Sequence, residues 1–153
     1  MEFLSNLVNG ISLGSVYAVI ALGYTMVYGI ARMLNFAHGD IIMVGGYICF
    51  IVMTSLGLPS IVGILAAVVV CTILGITIER VAYKPLRSAP SLAVLITAIG
   101  VSYLLQNLAL LIWGSDPKSF TSVVSMEPLR LFDGSLVITG ETIVTIVVSA
   151  IIM

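Results

Sequence analysis

The stretch NFAHGD, residues 35–40, sits between two long apolar runs and gathers an amide, the sole histidine and a carboxyl within six positions. His38 with Asp40 raises the question of a metal site. Zinc takes four ligands, and the i, i+4 spacing that sets two of them on one helical face is absent. No second histidine is present, and Cys49 and Cys71 both fall inside apolar runs, where they read as small buried hydrophobes. The segment GISLG, residues 10–14, matches the serine-hydrolase pattern G-x-S-x-G. That motif needs a strand, a sharp turn and a helix around the serine, whereas here it lies inside one uninterrupted apolar run. No G-x-x-x-x-G-K-[ST] loop occurs, so nucleotide is not held by that route. We assign no catalytic residue, metal or cofactor, and expect a chain that is not an enzyme.

Two readings of NFAHGD remain, and they overlap. In the first the segment is structural: Asp40 caps backbone N–H groups at a helix start and meets the positive end of its dipole, Gly39 frees the turn, and Asn35 bonds local backbone. In the second the segment dips into a membrane and lines or gates a path, as broken helices do at transport sites. An acid at the bilayer centre costs about 2.5–3.5 kcal/mol on insertion scales, which a helix start near the interface would largely avoid. Gln106 and Asn107 form the other interior polar pair, read as interhelix hydrogen-bonding groups or as path-lining ones. Tyr17, Tyr24 and Tyr28 read as packing or interface residues, and Trp113 as an aromatic-belt anchor.

Composition dictates the kind of helix that carries these groups. Of the 153 residues 60% are hydrophobic and 8% charged, with mean hydropathy +1.23. Soluble domains carry about 25% charged residues, so this chain cannot cover a water-facing surface. Net charge is −1 with no basic tract, which speaks against nucleic acid or an electrostatic membrane anchor. The N-terminus lacks the basic region of a cleaved signal peptide, so the first span should remain in the protein. We expect an all-α integral membrane protein, one transmembrane domain over 1–153, with spans near 5–31, 40–58, 60–80, 91–113 and 141–153. That is a bundle of about four complete transmembrane helices plus a truncated fifth, since the last run reaches Met153 after about 18 Å of helix. A re-entrant or broken helix near 35–50 stays open.

Arg80, Lys84 and Arg87 in ERVAYKPLR mark a cytoplasmic loop, so the N-terminus and the 114–140 connection should be extracytoplasmic. Within that connection LRLFDGSLVI has an Asp-Gly turn between β-prone residues, a hairpin signal. Gly10, Gly14 and Ala18 on the first span, and Gly63, Ala67 and Gly75 on the third, recur every four residues or multiples of it. Such rows let helix backbones approach closely.

Two blocks carry a resemblance. ALGYTMVYGIARMLNFAHGDIIMVGGY (21–47) resembles the signature segment of the branched-chain amino acid ABC permease family, and ERVAYKPLRSAPSLAVLITAIGVSYLLQN (79–107) resembles its next segment. Asn35, Ala37, His38, Gly39 and Asp40 match the family's turn between the first two spans. The resemblance implies the N-terminal half of a helical permease in a bacterial cytoplasmic membrane. It also implies partners: a second related permease, two ATP-binding subunits, an extracytoplasmic solute-binding protein and membrane lipid, with no nucleic acid. The solutes implied are leucine, isoleucine and valine. The rival expectations are a passive channel or secondary carrier for a small neutral solute of urea or amide type, and a non-transporting scaffold or truncated fragment.

Overall fold

A computed structural model describes residues 2–119, 127, 129–131 and 136–153. The helices are α1 (Glu2–Ala31), α2 (His38–Thr54), α3 (Ser60–Ile78), α4 (Ser91–Trp113) and α5 (Gly140–Ile152). Three stretches are long and apolar enough to cross a membrane: Phe3–Ala31, Ser60–Leu86 and Ser91–Trp113. Two apolar helices, α2 and α5, are shorter. An integral membrane bundle is therefore what the chain builds, although α2 starts two residues before the expected 40–58 span and ends at Thr54, four residues short of it.

The helix boundaries are readable. Pro59 and Pro90 stand just before α3 and α4 in extended conformations (ψ 149° and 146°), where a missing N–H costs the helix nothing. Gly57 and Gly114 follow α2 and α4 with φ of +62° and +76°, the left-handed region that a residue without Cβ enters freely. Beyond Ile78 the α3 rod continues as a π turn, Glu79–Tyr83, and a 3-10 turn, Lys84–Leu86, where Pro85 ends regular helix.

The chain divides into two compact units. One comprises Met1–Met26 with Ser122–Met153, the other Val27–Thr121. In the first, β1 (Leu129–Leu131) pairs antiparallel with β2 (Leu136–Ile138), with Arg130 opposite Val137. The hairpin expected of LRLFDGSLVI is thus present in its strands, and its Asp-Gly turn lies outside the described residues.

The second unit holds a small core of Ala37, Ile78, Tyr83, Val94, Ala98 and Leu105, with Ala37 and Ala98 fully shielded. On α4 the buried residues Val94, Ala98, Leu105 and Ala109 form one stripe at helical spacing. Helices α2 and α3 make the tightest pairing. A Cβ added at Gly63 would lie 3.2 Å from Cys49 Sγ and 3.3 Å from Met53 Cγ, and one at Gly45 would lie 3.0 Å from Cys71 Sγ. Gly63 therefore sits where close approach is needed, and Gly45 is a packing glycine the four-residue rows did not reveal. Gly10, Gly14 and Gly75 differ from expectation: a Cβ at each would meet nothing within 4 Å, and Ala18 and Ala67 are half-buried. Small residues permit close packing without compelling it.

Candidate functional site

The α1–α2 connection is the centre of the second unit. Arg32 turns the chain with φ +52°, the one non-glycine in the left-handed region among the described residues. Asn35 then organises the elbow. Its Oδ1 accepts the Ala37 N–H at 3.1 Å, a local turn bond, and also accepts the Tyr83 hydroxyl at 2.9 Å. Two residues on, Ala37 is buried among Ile78, Tyr83 and Ala98, leaving no room for a larger side chain without repacking.

Asp40 does something other than cap. The α2 N-cap is Ala37, which makes no side-chain cap bond, and Asp40 sits inside the first turn. From that position its carboxyl turns toward α4, where Gln106 Nε2 donates to Oδ1 at 3.1 Å and also to Ser102 Oγ at 3.2 Å. Asp40 is 7% exposed. The helix begins at His38, three residues earlier than an Asp40 cap requires, so the cap position falls to an alanine. First-turn placement still sets the carboxyl near the positive end of the dipole. Gly39 is helical, not a left-handed turn residue; that conformation falls at Arg32 instead.

The two polar residues of LLQN separate. Gln106 crosses to α2, whereas Asn107 Nδ2 donates to the Tyr103 carbonyl of its own helix at 2.7 Å. Trp113 stacks on Tyr47, ring centroids 4.6 Å apart and 3° from parallel, so it fastens α4 to α2. Tyr83 and Ser102 were missed from sequence. Tyr83 was the one aromatic within a charged stretch, which was the available signal.

Beneath the start of α2 lies a cavity of about 1280 Å³, with Asn35, His38 and Ile41 at one end and Glu79, Arg87 and Ser91 among its walls. Arg87 and Glu79 are paired at 2.7 Å. Arg80 and Lys84 lie exposed on the same turns. The segments holding NFAHGD and ERVAYKPLR are thus joined by Tyr83–Asn35, and NFAHGD and LLQN by Gln106–Asp40.

The family model described as branched-chain amino acid transport system / permease component matches residues 6–153. The chain belongs to this family. Among permease relatives, a protein of Pseudomonas aeruginosa named high-affinity branched-chain amino acid transport system permease protein BraD is 47% identical over 131 residues, covering 80% of this chain and 43% of that one. The proteins named LivH, with the same description, are 44% identical in Escherichia coli K12 and 43% in Salmonella typhimurium, each over 80% of this chain and 42% of their own length. The chain spans less than half the length of these permeases. No solved structure matches it.

Proposed function

We propose that the chain is a permease subunit of an ATP-driven importer of branched-chain amino acids and forms part of the translocation path. The observation that carries this is the family match over 6–153, supported by relatives whose names state that transport. In this reading the path is built between packed helices, and no bond is made or broken in this chain. ATP is hydrolysed by two partner subunits, a second related permease completes the membrane part, and an extracytoplasmic binding protein delivers the solute. The membrane is the bacterial cytoplasmic one. The N-terminus and the 114–140 connection face outward, and the turns carrying Arg80, Lys84 and Arg87 face the cytoplasm, in keeping with the excess of basic residues there. NFAHGD, with Gln106, is the polar hub about which the path is arranged.

The test is uptake of labelled leucine by vesicles from cells lacking their own importers. With the second permease, the ATP-binding subunits and the binding protein co-expressed, uptake that requires both ATP and the ATP-binding subunits is expected. Uptake by this polypeptide alone, without nucleotide, would make it a channel or carrier and overturn the proposal.

A further inference from the structure

Cross-helix contacts fix where α2 begins relative to its neighbours. Against α3 it runs antiparallel: Cys71 Sγ donates to the Ile41 carbonyl at 3.4 Å, and Gly63 abuts Cys49 and Met53. In that register Thr54 is level with Ser60, and His38 with the turn of α3 around Ile76. The α3 rod then runs on to Leu86, about 15 Å further at 1.5 Å per residue. Against α4 the run is parallel: Asp40 meets Gln106 and Tyr47 meets Trp113, the same offset twice. Ser91 therefore lies about 22 Å before the level of Asp40. The space where an α2 as long as its neighbours would continue is the cavity.

The outer face of α4 shows what surrounds that level. Leu92, Ile96 and Tyr103 are exposed by 64%, 61% and 63%, an apolar surface suited to lipid. The inner wall at the same depth has Ser91, and across the cavity stand Glu79, Arg87, Asn35 and His38. The 32–37 segment is irregular backbone. Lipid cannot solvate such groups, and non-helical backbone persists at membrane depth only when buried in protein or facing a water-filled cavity. Ala37 is buried, but Arg32, Leu34 and Phe36 are exposed.

We propose that this cavity is a water-filled vestibule, entering from the side of Arg80, Lys84 and Arg87 and ending at the elbow 32–37 and the start of α2. At roughly 30 Å³ per water it holds about forty molecules, more space than a tight site for one small solute needs. Its Glu79–Arg87 pair presents both charges at once, and its apolar residues Ile78 and Leu95 offer surface to a hydrocarbon side chain. A small zwitterion with an apolar tail suits such a wall. As the inward limb of the solute path, the vestibule rests on the permease reading; as a wet cavity it does not.

Two adjacent residues about 100° apart around α4, Leu95 on the cavity wall and Ile96 on the exposed apolar face, provide the test. In a variant with Cys49→Ala and Cys71→Ala, cysteines are placed singly at Leu95 on the wall, Ile96 on the apolar face and Ile41 at the inner end. The chain, assembled with its subunits in native membrane vesicles of both orientations, is exposed to a charged, membrane-impermeant thiol reagent. Because the thiolate reacts, and ionisation needs water, Leu95→Cys should label roughly tenfold or more faster than Ile96→Cys, and from one side only. Ile41→Cys should label from that same side. Equal rates at 95 and 96, or inert Leu95→Cys and Ile41→Cys in variants that still assemble, overturn the vestibule. Excess leucine should slow labelling at 95; labelling that leucine leaves unchanged keeps the cavity wet and removes it from the solute path. Labelling in a protein that imports no leucine upholds the vestibule and sinks the proposed function.

Discussion

Gln106 and Asn107 are neighbours of the same chemical type with opposite consequences. Gln106→Ala leaves the nine-tenths-buried Asp40 carboxyl without its α4 donor. Losing a partner of a buried polar group costs about 1–3 kcal/mol. Asn107→Ala gives up only a bond to the carbonyl of its own helix, already committed to that helix's ladder, and should cost under about 0.5 kcal/mol. Unfolding of the two variants in mild detergent, followed by helical circular dichroism, separates them; equal losses would show that the Asp40 bond contributes nothing. Tyr83→Phe removes the hydroxyl from Asn35 while keeping the ring in the core, for an expected loss of about 1 kcal/mol. The same measurement checks it, with Tyr83→Ala expected to lose several times more because it also empties part of the Ala37–Ala98 core.

At the scale of elements, the α2–α3 pair depends on two glycines facing two thiols. Gly63→Leu should destabilise by about 1–3 kcal/mol through overpacking, since even a single Cβ there would stand 3.4 Å from the Cys49 carbonyl as well as against two side chains. Gly10→Ala, in open space on α1, should gain up to about 1 kcal/mol from helix propensity. Midpoints of thermal unfolding for both variants test the contrast, and a Gly63→Leu protein as stable as its parent would refute the close pairing. The row Gly10, Gly14, Ala18 looked as well formed in sequence as Gly63, Ala67, Gly75. Spacing tells which residues share a face of a helix, not which face meets a neighbour.

At the scale of the whole molecule, the proposed sidedness predicts an alternating reporter pattern. Alkaline phosphatase fused after Pro59 or Lys118 should be active, and after Pro90 inactive, with a cytoplasmic fluorescent reporter giving the reverse. A reporter active after Pro90 would invert the orientation drawn from Arg80, Lys84 and Arg87.

That this chain is a bundle of apolar helices is legible in its residues alone, because 8% charged residues cannot clothe a water-soluble globule and the long uncharged runs match a bilayer's thickness. The starts of α3 and α4 just after Pro59 and Pro90 are local in the same way, since proline acts on its own stretch of backbone. Composition also marks NFAHGD and Gln106 as polar groups needing partners. Which partners they find depends on the packed helices. Asp40 turns from capping its own helix to bonding α4, Asn35 is held by a tyrosine 48 positions away, and α2 begins part-way along its neighbours. Those outcomes depend on the register between helices, set by contacts such as Cys71 with Ile41 and Tyr47 with Trp113. Register is a relation between two segments, and no periodicity within either one contains it.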